Sequence, residues 1–303
     1  MIFATLADPP YLPGVFALLQ SIVDHGGADA PRRLVLVHED PMPGPAIEGL
    51  RRIGFEVDLM ARRELGDVPV RTRQVMGRFD YTFKKLLMFG LPVDEKVCFL
   101  DTDMLCLNAL DGLAELPHFS AGPDLGSAEP RDVGGMPMLN SGMMVFEPGV
   151  GFRDEVLSFY RDADLTFDFG DQQVTSHYFA QHGPERVNLL PPAWNTLKRA
   201  VLAFPDRVPM DAVRFLHFVG DKPWQTTAGK LGEWRYHGMN SLWWESYERS
   251  GGASVLPAVS GRPVRGLTGL AARAAGWGWD VMPGAVKRRV LSARRRSGKG
   301  GAA

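Results

Sequence analysis

Short runs of Val, Ile, Leu and Phe alternate with longer amphipathic stretches through the first half of the chain, which is the pattern of a parallel sheet with helices on its faces. IFATLA (2–7) predicts a buried strand, and after a Pro-rich break the spacing of Val15, Leu18, Leu19 and Ile22 predicts a helix over 13–25. RLVLVH (33–38) predicts a second strand, PAIEGLRRIG a short helix stopped by Gly54, and FEVDLM a third strand. Such closely spaced strand–helix units indicate a nucleotide-binding type of α/β architecture. A helix is expected near 81–91, followed by KVCFL (96–100), a continuous apolar run suited to a strand covered on both faces. That run stops abruptly at Asp101-Thr102-Asp103.

The order then changes. FSAGPD (119–124) and MLNSGMMVFEP (138–148) predict strands, joined by a segment too polar for a core, and the Gly, Pro and charge content of 125–137 suits a lid over an acceptor. VLSFYRDA and DQQVTSHYFAQH predict helices, and VRFLHFVG (213–220) a late strand. No internal repeat is present. From Val255 the composition shifts to Gly, Ala, Arg and Pro, which divides the chain into a domain over 1–254 and a tail over 255–303 with helical patterns at 267–277 and 283–296.

Composition adds little until it is split along the chain. The 303 residues hold 45% hydrophobic and 23% charged residues, which excludes disorder, collagen and disulfide-scaffold classes for the bulk. The 34 Lys and Arg nearly balance the 35 Asp and Glu, yet ten of the bases lie from Arg262 onward against the single acid Asp280. An acidic body therefore carries a basic tail. Trp277 and Trp279 precede the clusters Lys287-Arg288-Arg289 and Arg294-Arg295-Arg296, a composition that fits either a solvated tail or contact with anionic headgroups. Nucleic acid is not an expected partner, because the acidic body lacks an interleaved basic and aromatic surface. No window is apolar enough to span a membrane and the N-terminus lacks a signal-peptide pattern, so a cytoplasmic protein is expected, with peripheral contact of the tail with the inner face of the cytoplasmic membrane as the alternative to a solvated tail. Cys98 and Cys106 have no metal-ligand spacing and read as small buried hydrophobes.

Candidate chemistry concentrates where strands end. Asp101 and Asp103 follow a buried strand, the place where α/β sheets open onto a ligand crevice, and two carboxylates at i and i+2 can converge on one hard cation. Asp162 and Asp164 repeat the spacing, but after a helical pattern of mixed polarity they read as a solvated helix end. His217 lies in the apolar strand FLHFVG, where the plain reading is a satisfied core histidine. Gly220 and Lys222, which follow it, give the segment the look of a loop facing a pyrophosphate.

Taken in order, these motifs resemble the glycogenin-like glycosyltransferases, family eight of the glycosyltransferases, over residues 1–247. The resemblance implies a GT-A type nucleotide-diphospho-sugar transferase fold: α/β, with a mixed, mostly parallel central sheet flanked by helices. It implies uridine binding by Thr5, Leu6, Ala7, Asp8 and Tyr11 in ATLADPPY, a loop one residue shorter than the family pattern. Lys85 in YTFKKLLMF matches the phosphate- or sugar-contacting lysine, ahead of Lys84. Asp101 and Asp103, with Thr102 between them, match the metal-binding DxD, and His217 the third protein ligand, with Gly220 and Lys222 on the diphosphate. Asn140, Ser141 and Gly142 match the strand lining the sugar pocket, and Asp124 a sugar-hydroxyl acceptor. Asp171 and Gln172 in Gly170-Asp171-Gln172 match the pair beside the anomeric carbon.

By this resemblance the expected activity is retaining transfer of a hexose from a UDP-sugar to a glycan or lipid-linked acceptor, and the mixed oxygen and nitrogen ligands suit Mn²⁺ or Mg²⁺. Plainer readings stand beside it: Asn140-Ser141-Gly142 as a turn, Asp171 as a helix N-cap, and Trp224, Trp243 and Trp244 as packing residues. A phosphohydrolase with a nucleophilic Asp is disfavoured by Leu105 two residues beyond the second acid, and a non-catalytic sugar-nucleotide binder is the remaining alternative.

Overall fold

The computed structural model describes residues 1–70, 81–126, 130–225 and 235–259. The chain divides into two compact units, Met1–Gly220 with Ser246–Ala258, and Asp221–Glu245 with Val259–Ala303. The first unit opens with β1 (Ile2–Leu6), α1 (Leu12–His25), β2 (Arg33–His38), α2 (Gly44–Arg52) and β3 (Glu56–Ala61). A 3-10 helix over Thr82–Gly90 leads into β4 (Val97–Leu100) and β5 (Met104–Cys106). There follow β6 (Ser120–Pro123), β7 (Asp132–Val133), β8 (Met136–Pro137), β9 (Leu139–Phe146), α3 (Val150–Asp162) and α4 (Asp171–His182). The remaining elements are β10 (Asn188–Leu189), β11 (Thr196–Leu197), α5 (Lys198–Ala203), β12 (Phe215–His217) and α6 (His237–Arg249), the last running across the boundary between the units in sequence.

The main sheet has seven strands in the order β10-β6-β9-β4-β1-β2-β3. β3, β2, β1 and β4 are mutually parallel, β9 runs antiparallel to both β4 and β6, and β10 is parallel to β6. This is the mixed, mostly parallel sheet that the resemblance implied. A second sheet, β11-β12-β5, carries the segment after the acidic triplet back against the late strand. Parallel strands need both faces covered, and the alternation along β1 meets that need: Ile2, Ala4 and Leu6 join the cluster formed by the 3-10 helix, α3 and α4. Phe89 sits at its centre, with ring centroids of Phe152 at 4.8 Å, Phe146 at 5.0 Å and Phe119 at 5.9 Å. Elsewhere in the first unit α1 and α2 approach closely at Gly49, where a Cβ would fall 2.8 Å from the Phe16 ring.

The strands and helices read from pattern are present at their expected places, with differences that have simple causes. The helix expected at 81–91 winds as a 3-10 helix, which apolar spacing over so short a segment does not distinguish from α. α3 starts at Val150, before VLSFYRDA, because Gly149 and Gly151 weaken the helical signal of its first turn. The late strand is only Phe215–His217. Five strands of two or three residues (β5, β7, β8, β10, β11) and the helices α5 and α6 carry too little periodicity to be anticipated. Within the polar stretch expected to stay out of the core, β7 and β8 form a hairpin about Gly134 and Gly135, both at positive φ, and Val133 and Met136 are buried. Residues 127–129 of that stretch lie outside the described residues, as does the tail beyond 259 with its expected helices and its Trp and Arg clusters.

Asp162 does close a helix at the surface, paired with Arg161 at 2.7 Å. Cys98 and Cys106 are buried free thiols, and burial pushes Cys106 up to about 12 and Cys98 in the same direction, so neither is a nucleophile at neutral pH. In the second unit Trp224 stacks on Trp243 at 5.2 Å and Trp243 meets Trp244 edge-on, which is the packing role expected of them. Among the described residues no helix is long and apolar enough to cross a membrane.

Phe89→Ala is expected to cost about 3–5 kcal/mol by leaving a cavity among three aromatic rings. Val150→Ala, at a side chain 57% exposed, is expected to change stability by less than about 0.5 kcal/mol. Urea unfolding midpoints of the two variants against the parent check the contrast.

Candidate functional site

From β1 the chain moves outward through β2 and β3, then returns to lay β4 on the other side of β1. At such a switch point the carboxyl ends of neighbouring strands open onto a crevice. The Thr5 hydroxyl donates to the Leu100 carbonyl at 2.7 Å and ties the two strand ends together. Asp101 leaves β4 with its N–H donated to the Gly142 carbonyl on β9 at 2.8 Å. Asp103 leads into β5, which pairs antiparallel with β12 so that His217 stands opposite Met104. The Phe218 N–H donates to the Asp103 carbonyl at 2.8 Å and closes this corner.

Ligand atoms of Asp101, Asp103 and His217 consequently lie within 4.8 Å of one another. Nε2 of His217 is 3.2 Å from Asp103 and 3.8 Å from Asp101. The histidine is buried, as its apolar strand required, yet it faces two carboxylates instead of being satisfied within a core. Gly142 makes room for the ring, since a Cβ there would fall 2.2 Å from Cε1 of His217. Oxygen and nitrogen donors converging in this way fit a divalent cation.

Lys85 projects from the 3-10 helix, with Nζ 2.7 Å from the Asp101 carboxylate and 3.9 Å from Asp171. Burial by itself would lower its pKa, but the charges of Asp101 and Asp171 outweigh that and hold the ammonium above its ordinary value. Lys84 instead pairs with Glu39 and lies 4.9 Å over the Tyr81 ring, away from the acids. Asp171 is the first residue of α4 and not its N-cap. That position belongs to Gly170 at φ 68°, a backbone shape that favours glycine. The Asp171 carboxylate is buried, which raises its pKa against the opposing pull of Lys85 and a hydrogen bond from Ser141.

A run of carboxamides extends from this cluster. Gln172 Nε2 donates to Asp124 Oδ2 at 2.8 Å, and Gln172 Oε1 lies 3.5 Å from Asn140 Nδ2. Asn195 lies 2.8 Å from Asn140 Oδ1 on one side and 3.0 Å from Nδ1 of His217 on the other. Two buried acceptors, Asp124 Oδ1 and Asp171 Oδ2, have no hydrogen-bond partner among the described residues. Arg199 stands 3.7 Å from the first of them.

At the end of β1, Leu6 and Ala7 are buried, and the Ala7 N–H donates to the Val37 carbonyl at 2.9 Å. Asp8 accepts the N–H groups of Glu39 and Asp40 at 2.9 and 3.1 Å and the Tyr81 hydroxyl at 3.1 Å. Burial, with Asp8 adding to it, pushes the Tyr81 phenol up, so it stays a donor. Tyr11 and Tyr81 lie nearly parallel with centroids 6.3 Å apart. Thr102 is buried between the acids, and Gly220 adopts φ 90°. Lys222 belongs to the second unit, where its carbonyl accepts the Gln225 N–H at 2.9 Å.

The structure thus brings together Lys85, Asp101, Asp103, Asp171 and His217, with Asn140, Ser141, Gly142, Gln172 and Asp124 adjoining them. Sequence reasoning missed Tyr81, Asn195 and Arg199. Asn195, in PPAWNTL, carries no motif, and its one signal is an amide side chain within a stretch that turns out to be buried.

No protein-family model matches the chain. Glycogenin from Neurospora crassa is 26% identical over 251 residues, which is 80% of this chain and 34% of glycogenin. UDP-glucuronate:xylan alpha-glucuronosyltransferase 2 from Arabidopsis thaliana is 28% identical over 225 residues, 71% of this chain and 33% of that protein. The chain therefore spans about a third of the length of these curated relatives. Among solved structures, the galactosyltransferase LgtC in complex with donor and acceptor sugar analogs superposes with a TM-score of 0.55 at 17% identity, covering 82% of this chain and 96% of LgtC. The mixed sheet with its crevice at the ends of β1 and β4 is accordingly a GT-A fold, and the chain is similar in sequence to glycogenin and to the xylan glucuronosyltransferases.

Proposed function

We propose that the chain is a glycosyltransferase that moves a hexose from a UDP-sugar to a glycan or lipid-linked acceptor, with retention at the anomeric carbon and with Mn²⁺ or Mg²⁺ held by Asp101, Asp103 and His217. The observation that carries this reading is the convergence of those three ligands at the strand-end crevice, with Lys85 and Asp171 beside them. A divalent cation supplies charge neutralisation for the departing diphosphate when bound.

The chain's own residues do the rest. Asp8, Tyr11 and the backbone of Thr5, Leu6 and Ala7 receive the uridine. The Thr5 hydroxyl is already committed to Leu100, and Asp8 is oriented by the two backbone N–H groups and by Tyr81. Lys85, kept charged by its acidic neighbours, is a fixed positive charge for a phosphate or sugar oxygen, and Gly220 is assigned to the diphosphate. The acceptors on Asp124 and Asp171 that lack a hydrogen bond, each with only a long ion pair, suit sugar hydroxyls, which would satisfy them on binding. Ser141 steadies Asp171, and Asn140 steadies Gln172.

Breaking the bond between the anomeric carbon and the diphosphate develops positive charge on the sugar, and the Asp171 carboxylate with the Gln172 amide oxygen is placed to stabilise it. A neutral carboxamide engaged at both its atoms is a poor nucleophile. Attack by the acceptor hydroxyl from the face that UDP leaves therefore fits these residues better than a covalent intermediate on Gln172. The hairpin β7–β8 lies in the segment assigned to the acceptor side. The basic tail supports peripheral attachment to an anionic inner membrane surface, which suits a lipid-linked acceptor.

Incubated with Mn²⁺ and single UDP-hexoses without acceptor, the protein is expected to release UDP slowly from one donor. Asp103→Asn is expected to lower that rate at least about 100-fold by removing a ligand charge at the leaving group. Gly142→Ala, which crowds His217, is expected to abolish Mn²⁺-dependent thermal stabilisation by UDP. If no donor is turned over and Mn²⁺ with UDP leaves the melting temperature of the parent unchanged, the metal–diphosphate reading is wrong. In vesicle sedimentation at low salt, the chain is expected to bind anionic but not zwitterionic bilayers, and replacing Lys287, Arg288, Arg289, Arg294, Arg295 and Arg296 by Gln is expected to abolish binding. Equal sedimentation before and after replacement overturns the membrane assignment.

A further inference from the structure

The Gly142 N–H donates to Oδ1 of Asn140 at 3.0 Å. A backbone amide can only donate, so the Asn140 atom facing it must be the oxygen. That oxygen also lies 2.8 Å from the Asn195 amide, which must therefore turn its NH₂ toward Asn140. The Asn195 oxygen is left on the opposite side, 3.0 Å from Nδ1 of His217. An amide oxygen cannot donate, so Nδ1 carries the ring proton. In the neutral imidazole, Nε2 then keeps its lone pair, aimed between Asp103 at 3.2 Å and Asp101 at 3.8 Å.

The same polarity runs the other way. With its oxygen committed to Gly142 and Asn195, Asn140 presents its NH₂ to Oε1 of Gln172, and the Gln172 NH₂ in turn donates to Asp124. A single backbone N–H thus fixes the direction of every bond from the histidine to the carboxylate.

We propose that Asn195 is a positioning residue of this site. It holds His217 in the tautomer whose Nε2 can ligate a cation, and it couples that ligand to the Asn140–Gln172–Asp124 side. The proposal rests on the metal-dependent reading above and assigns a role to a residue that no motif marks. A carboxamide meets both demands at this position, because it accepts from the imidazole and donates to Asn140. At 2% exposure, bulk solvent does not reach either bond. Partners that orient a ligating histidine in this way commonly govern metal affinity.

Two substitutions separate the functions. Asn195→Asp keeps an acceptor for Nδ1 but sets a carboxylate oxygen against Oδ1 of Asn140, whereas Asn195→Ala loses both bonds. Calorimetric titration of Mn²⁺ into the full chain with UDP present is expected to show affinity falling about 10- to 100-fold in Asn195→Ala. Asn195→Asp is expected to bind Mn²⁺ close to the parent level while its kcat for UDP-sugar hydrolysis falls and KM holds. ¹⁵N-histidine spectra of the metal-free parent, which need no variant to fold, are expected to show the neutral His217 ring protonated at Nδ1. Protonation at Nε2, parent-like Mn²⁺ affinity in Asn195→Ala, or equal loss of affinity in both variants would each overturn the assignment. If the parent itself binds no Mn²⁺ with UDP, the metal-dependent reading fails first, and this inference fails with it.

Discussion

Three carboxylates, those of Asp101, Asp103 and Asp171, crowd the carboxyl ends of the central strands around one ammonium, that of Lys85. Carboxylates withdrawn from water repel one another unless cations or hydrogen bonds offset the charge. Lys85 offsets part of it, and burial leaves its mark in the raised pKa of Asp171. The arrangement is left with an excess of negative charge facing a histidine nitrogen. That excess is what a divalent cation and a diphosphate would jointly complete, and the roles proposed for the remaining side chains depend on it.

Holding such a cluster together requires rigid backbone on every side. Asp101 is fixed by the carbonyl of Gly142, and Asp103 by the pairing of β5 with β12 and by the Phe218 N–H. Both contacts depend on close approach of main chain: Gly142 has no side chain to collide with His217, and Gly170 at positive φ starts α4 with Asp171 turned inward. These glycines position chemistry without supplying any. The aromatic cluster around Phe89 anchors the 3-10 helix from which Lys85 projects, so core packing and the charge at the site share one short element.

The polar network beyond the metal ligands links the two ends of the proposed reaction. Asn140, Asn195 and Gln172 are carboxamides, which can accept on one side and donate on the other, and a chain of them transmits hydrogen-bond polarity over several residues. Because one end of that chain meets the imidazole and the other meets Asp124, the hydrogen bonds connect the residues proposed for the leaving-group side with those proposed for the sugar side.

The amino-acid sequence by itself determined the strand–helix alternation, because apolar periodicity is a local property, and it located Asp101 and Asp103 by the abrupt end of the buried run KVCFL. It also ordered the motifs from Lys85 to His217 well enough to imply the GT-A fold. Choosing Lys85 over Lys84 rested there on motif position. The tertiary structure separates the two lysines, since neighbouring residues on a 3-10 helix face different surroundings, one toward Asp101 and the other toward Glu39. Asp171 is a further case: Asp before an amphipathic run reads equally as a cap, and only the positive φ of Gly170 turned its carboxylate into the site. Tyr81, Asn195 and Arg199 left no local trace, because their partners lie far away in the chain, 73 residues from Tyr81 to Asp8 and 22 from Asn195 to His217. Periodicity and spacing report what a residue does to its own segment, whereas hydrogen-bond polarity and shared charge exist only once distant segments meet.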